Sequence, residues 1–136
     1  MHTSVILIVF LAFLLVGIAA SKTKFEFPTQ ACIGGLISGN ILGCAIALAN
    51  SVWKIHQWSE DTMINVCGNE CKGNLKGRLY GLKWKWNAKF QCSTKGQGIV
   101  GRFTALGRQS AMKGAINDWI IKAANAGAIN ADDFKC

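Results

Sequence analysis

Between Gly81 and Cys92 the chain reads GLKWKWNAKFQC, with lysines set between tryptophans and a cysteine at the end. At one side chain per face, Leu82, Trp84, Trp86, Ala88, Phe90 and Cys92 point one way and Lys83, Lys85, Asn87, Lys89 and Gln91 the other, the periodicity of a strand. Ammonium groups donate charge-assisted hydrogen bonds to phosphate, and tryptophan favours the boundary between water and hydrocarbon. The chemistry on offer is recognition. An ordinary half-buried strand, a nucleic-acid platform and a grip on an anionic lipid all remain open from this ribbon alone.

Bond-making chemistry has less to work with. A secreted hydrolase needs a base with a nucleophile, or two carboxylates, and the candidates are His56, Glu60, Asp61, Glu70, Asp118 and the late aspartates. No spacing joins them into such a group, so no enzyme is expected. Cys67-x3-Cys71 lacks the second ligand pair that structural zinc requires, and His56 is the one histidine beyond residue 21. Neither a metal nor a cofactor is expected.

The ribbon needs a partner strand, and CKGNLKGRLY, residues 71–80, supplies it. If Cys71 faces Cys92 across an antiparallel pair, which requires the two Cβ atoms to be near, Gly73 meets Phe90, Leu75 meets Ala88, Gly77 meets Trp86 and Leu79 meets Trp84. On the other face Lys72 meets Gln91, Asn74 meets Lys89, Lys76 meets Asn87, Arg78 meets Lys85 and Tyr80 meets Lys83. Both strands obey one division of faces, and a slip of one residue would destroy that agreement. The turn falls at Tyr80–Leu82, with Gly81 free to take a positive φ, while Gly73 and Gly77 leave room for the rings of Phe90 and Trp86.

The polar face then gathers Lys72, Lys76, Arg78, Lys83, Lys85 and Lys89, with no acid between Cys71 and Cys92. Like charges directly opposite, such as Arg78 and Lys85, cost up to about 1 kcal/mol in a sheet. A fold that keeps them uses them. Lys95, Arg102, Arg108 and Lys113 prolong the acid-free stretch, and a ligand with both phosphates and acyl chains, such as lipid A, would engage both faces.

The remaining chain must hold this hairpin. Residues 1–21, MHTSVILIVFLAFLLVGIAAS, form an apolar run ending in small residues and read as a secretory signal peptide. They contain no Lys, Arg, Asp or Glu, so the net charge of +8 belongs to residues 22–136, a length that suits one domain. A secreted, extracellular location follows, and six cysteines in an exported small domain read as up to three disulfides. Ile33 to Trp53 is free of charge and carries apolar residues at four-residue steps, an amphipathic to buried helix. Its Gly35, Gly39 and Gly43 also match the small-xxx-small stripe of membrane helices, so membrane disruption through residues 33–53 is the alternative function. A nucleic-acid or glycan-binding module is another.

TMINVC reads as a strand ending near Cys67, and the glycine-punctuated stretch around Ile99 and Val100 as a loop with a fourth strand. SAMKGAINDWIIKAANAG, residues 110–127, has helical spacing, with Ser110 as cap and Gly127 as stop. NADDF, residues 130–134, opens a last short helix. The expected class is α+β, a four-stranded antiparallel sheet packed against about three helices and stabilised by disulfides.

NECKGNLKGRLYGLKWKWNAKFQC followed by GRFTALGRQSAMKGAINDWIIKAANAGAI resembles the anti-lipopolysaccharide factors of horseshoe crabs and crustaceans. The matching features are Glu70-Cys71, Leu82 to Lys85, Lys89-Phe90, Cys92, Gly101-Arg102, Asp118-Trp119 and Gly127 before Ile129, over about residues 58–134. The resemblance implies helices on a four-stranded sheet and a disulfide-closed hairpin, residues 71–92, that binds lipid A, with antimicrobial and endotoxin-neutralising activity of innate immunity and no catalysis. On it, Lys72, Lys76, Arg78, Lys83, Lys85 and Lys89 contact phosphates, and Trp84 and Trp86 contact acyl chains or anchor the hairpin. The implied partners are bacterial lipopolysaccharide and the bacterial outer-membrane surface, with no nucleic acid; a ligand-induced dimer is compatible with this.

The sequence departs from the family in four further cysteines, where one disulfide is usual. Cys32 and Cys44 in one helix would stand about 18 Å apart at 1.5 Å per residue, beyond disulfide reach. Cys32–Cys136 and Cys44–Cys67 are therefore the expected pairs. The first strand, with Gly73, Asn74 and Gly77, is also less basic and less aromatic than is usual in the family.

Overall fold

The computed structural model describes residues 25–32 and 41–136. The signal peptide expected over residues 1–21 and the start of the helix expected over 33–53 lie outside the described residues. In chain order the elements are helix α1 (Ile41–Lys54), strands β1 (Thr62–Val66), β2 (Asn69–Tyr80), β3 (Lys83–Cys92) and β4 (Gly101–Ala105), helix α2 (Arg108–Asn125) and a single 3-10 turn, Ala131–Phe134.

The strands form an antiparallel sheet in the order β1-β2-β3-β4. Cys67 and Gly68 join the first two strands in a two-residue loop with φ of 53° and 82°, the pattern of a type I′ turn whose twist suits a hairpin. Helix α2 lies on one face of the sheet, burying Ala111, Met112, Ala115, Ile116, Trp119 and Ile120. Its small residues let it sit close. Helix α1 packs on α2 through two four-residue rows, Cys44, Leu48 and Val52 beside Ala45 and Ala49.

An aromatic series ties the layers together. Trp53 stacks on Trp58 at 6.3 Å, Trp58 meets Phe90 edge-on at 6.1 Å and Phe90 meets Trp119 edge-on at 5.6 Å. Trp58 Nε1 donates to the Trp53 carbonyl at 2.9 Å, so the indole is buried with its polar atom satisfied. The base of β3 is thereby anchored in the core.

Several expectations need correction. Helix α2 starts at Arg108 after Gly107, which occupies the cap position without a side-chain bond, so Ser110 is inside the helix and not its cap. Gly127 does end it: with φ of 72°, its N–H reaches the Ala124 carbonyl and that of Ala128 the Ala123 carbonyl, a Schellman closure. Ile99 and Val100 precede β4 and lie outside it. The described residues hold two α-helices where about three were expected, because the third is only the 3-10 turn. Asn130 and Asp133 cap that turn reciprocally, and at Lys135 the backbone becomes extended to deliver Cys136 to its partner.

The extra disulfides pair as Cys32–Cys44 and Cys67–Cys136, in place of Cys32–Cys136 and Cys44–Cys67. The objection to the first pair assumed that both cysteines lie in one helix. Cys32 instead sits in a turn, its N–H bonded to the Pro28 carbonyl, and approaches the first turn of α1 with a Cα–Cα distance of 4.6 Å. The C-terminal segment lies beside the sheet with Ala131 and Phe134 buried and Asp133 ion-paired to Lys95, and Cys136 meets the β1–β2 turn with a Cα–Cα distance of 5.3 Å.

Among the described residues no helix is long and apolar enough to cross a membrane.

Candidate functional site

Strands β2 and β3 pair from Cys71↔Cys92 to Tyr80↔Lys83 in the register given by the face alternation. Cys71 and Cys92 are disulfide-bonded with Cα atoms 3.9 Å apart, closing the hairpin at its base. The loop at its tip is Gly81–Leu82, with φ of 60° at Gly81 alone, the type II′ pattern that needs glycine first.

The inner row divides along its length. Phe90, Ala88 and Leu75 are buried, whereas Leu79, Leu82 and Trp84 are exposed, Trp84 to 52%. Trp86 stands at the boundary, half-buried, with the Arg108 guanidinium 5.2 Å from its ring centroid in a cation–π contact. Arg108 also donates from Nη2 to the Trp58 carbonyl. Trp86 is therefore an anchor between hairpin and core, and Trp84, edge-on to it at 5.9 Å, is the ring facing solvent.

The two glycines of β2 make room for rings other than their cross-strand partners. A Cβ at Gly73 would fall 2.2 Å from the Trp58 ring, and one at Gly77 would fall 2.3 Å from the Trp84 ring. Trp84 thus lies down over Gly77.

On the outer face Lys76, Arg78, Lys83 and Lys89 are exposed and Lys85 is half-exposed. None of these five makes an ion pair among the described residues. Lys72 differs, because its Nζ lies 3.4 Å from Asp61, which also accepts from Asn74 Nδ2. Lys85 sits over the Tyr80 ring at 5.8 Å.

Strand β4 widens the face. Arg102 pairs opposite Lys89, and Thr104 opposite Asn87. Thr104 Oγ1 donates to Asn87 Oδ1 at 2.6 Å, and Asn87 Nδ2 donates to Tyr80 Oη at 2.6 Å, a polar line across three strands. Around it lies a concavity of about 300 Å³ lined by Asn74, Lys76, Arg78, Asn87, Lys89, Arg102, Phe103 and Thr104. With its donors already fixed by the sheet, such a cradle fits phosphate or sugar hydroxyls.

The other cations beyond the hairpin are scattered. Lys95 is paired with Asp133, Arg108 covers Trp86 and Lys113 lines a different groove, so only Arg102 joins the cradle. In the sequence Arg102 showed only as one cation of the acid-free stretch and as part of a Gly-Arg step, with nothing to set it apart from Lys95, Arg108 and Lys113, and the Asp61–Lys72 pair carried no sequence signal beyond proximity to the turn.

The catalytic candidates are not assembled. Asp118 accepts from the Arg102 N–H and pairs with Lys122, Asp61 pairs with Lys72, and His56 is exposed at the edge of Trp58. Among the described residues no group of three or more His, Cys, Asp or Glu could hold a metal.

Fold and site together define a class: a helix-backed four-stranded sheet carrying a disulfide-closed hairpin, basic on one face and apolar at its tip. The anti-lipopolysaccharide factor/scygonadin family model matches residues 40–136, and the chain belongs to that family. Among solved structures it is similar to an antilipopolysaccharide factor from shrimp, described with its possible lipid A binding site. The TM-score is 0.61 at 18% identity, over 72% of this chain and 92% of that one, a likeness of fold. Comparison with curated protein sequences gives no match.

Proposed function

We propose that the protein is a secreted, cationic antimicrobial factor, a single domain over residues 22–136, that binds bacterial lipopolysaccharide through the β2–β3 hairpin and takes no part in catalysis. The observation that carries this reading is the run of five cations, Lys76, Arg78, Lys83, Lys85 and Lys89, unpaired among the described residues on a covalently closed hairpin with an exposed apolar tip. Lipid A phosphates meet these cations together with Lys72 and Arg102. Acyl chains meet Trp84, Leu79 and Leu82, and Trp86 holds the hairpin to the core. Family membership supports the same ligand class.

Calorimetric titration of the oxidised protein with lipopolysaccharide, beside a variant with Lys83, Lys85 and Lys89 changed to alanine, tests this. Tight binding lost in the variant is the expected result. Equal binding by the two proteins would remove the basic face from the mechanism. A nucleic-acid ligand would instead show affinity that collapses with salt, without the salt-resistant part that acyl contacts supply.

A further inference from the structure

The hairpin leaves the lipid only partly accommodated. Its apolar row is buried from Ala88 toward the base, so the rings and aliphatic groups at the tip are all that it offers to acyl chains. A second apolar receptor lies at the other side of the basic cradle. Between α1 and α2 runs a groove of about 440 Å³, its apolar lining including Ile46, Ala47 and Phe103, with Asn50, Ser110, Lys113 and Asn117 at its polar positions. That volume is within the range of ligand sites, roughly 300–1,000 Å³, and so is the mixture of an apolar lining with a few polar groups.

The two concavities meet at one side chain. Phe103 lines the helix groove and the basic cradle alike. It is on β4, the edge of the sheet, 47% exposed, and its ring lies over Gly114, where a Cβ would come within 2.2 Å. Among the described residues no strand lies beyond β4. A chain leaving the cradle beside Arg102 and Thr104 can therefore round the sheet edge over Phe103 without crossing backbone. Ile46 at the groove, and Leu42 one helical turn before it, are about 60% exposed, apolar surface that gains by being covered.

We infer that the α1–α2 groove receives an acyl chain of the same phosphorylated lipid whose phosphates lie in the cradle, an inference that rests on the function proposed above. The cradle then lies between two apolar receptors, the hairpin tip and the groove, and Phe103 is the threshold of the second. Cationic Lys113 at the groove suits an anionic lipid, and its ammonium makes no ion pair among the described residues.

The test fills the groove. Ala47→Trp places a large ring there from a partly exposed helical position, and the variant and the oxidised parent are titrated with intact lipopolysaccharide and with fully deacylated lipopolysaccharide that keeps its phosphates. Each methylene denied burial weakens transfer several-fold, so the variant should lose at least about tenfold toward the intact lipid. Its affinity for the deacylated form should be unchanged, which also reports that it is folded. Equal affinity of variant and parent for the intact lipid overturns the inference and leaves the basic face in place; failure of the parent to bind intact lipid overturns the proposed function itself. In the parent complex, nuclear Overhauser contacts between lipid methylenes and Phe103 or Ile46 are expected, and their absence from a saturated complex overturns the inference without any variant.

Discussion

Among the described residues Asp61 is the one acid paired with the hairpin's cations, and its removal should strengthen binding. Its carboxylate lies 3.4 Å from Lys72 Nζ, with side chains 70% and 46% exposed, a surface pair worth about 0.2–1 kcal/mol that a phosphate must displace or share. A phosphate on Lys72 would also stand roughly 6 Å from that carboxylate and be repelled by about 0.7 kcal/mol in water. Together these amount to about 1 kcal/mol, or about fivefold in affinity. Asparagine is the suitable replacement: Asp61 has φ of 54°, which asparagine tolerates, and the amide oxygen still accepts from Asn74. Calorimetry of Asp61→Asn against lipopolysaccharide should show about fivefold tighter binding in dilute buffer, fading near 0.5 M salt as the Debye length falls to about 4 Å. Lys72→Ala should cost less than Lys89→Ala for the same reason. Unchanged or weaker binding by a folded Asp61→Asn protein at low salt would refute the placement of phosphate at Lys72.

Gly101→Ala would set a Cβ 2.1 Å from the Ala115 carbonyl oxygen of α2; since backbone cannot step aside, urea unfolding should show a loss of more than about 2 kcal/mol. Replacing Cys71 and Cys92 together by alanine opens a loop with a sequence separation of 21 and should cost about 3 kcal/mol by chain entropy, read as an earlier thermal midpoint that is insensitive to reductant at this bond. Burial raises the Asp133 carboxyl, but the Lys95 hydrogen bond, the Asn130 N–H and the Lys95 charge outweigh it and hold the pKa below its ordinary 3.8. That stability is present above pH 3.8 and is lost as pH falls through the lower folded value. Asp133→Asn should therefore lower the melting temperature at pH 6 and flatten its fall below about pH 4, and parallel curves for the two proteins would contradict the assignment.

The hairpin was legible because three independent local constraints agree on it: alternation in each strand, the parity of the Gly81–Leu82 loop and the cysteine spacing. Each acts over neighbours in sequence, and the observed register follows. What set the limit of the buried row was not local. Trp86 is held by Arg108, whose approach depends on the packing of α2, and Gly77 is filled by its diagonal neighbour, a choice of rotamer that no alternation encodes. The disulfide error has the same character, since a helix assumed to include Cys32 made the correct partner look too distant. The short last element shows the reverse case: NADDF does open a helical turn, closed by a reciprocal Asn130–Asp133 cap that the reading of the sequence did not include, and it runs for four residues before the extended Lys135 and the disulfide-bonded Cys136.

The disulfide that closes the hairpin is nested within the stretch spanned by Cys67–Cys136. Arg78 and Lys83 flank the exposed tip, where a trypsin-like protease would cut first. One such nick would release no peptide. The two halves of the ribbon would stay joined by the Cys71–Cys92 bond and by strand pairing, and the distal half would remain fastened at its far end to the β1–β2 turn. The hairpin can thus persist as a two-chain clasp, so digestion at its most vulnerable point gives a nicked molecule of nearly unchanged mass that separates into fragments only on reduction.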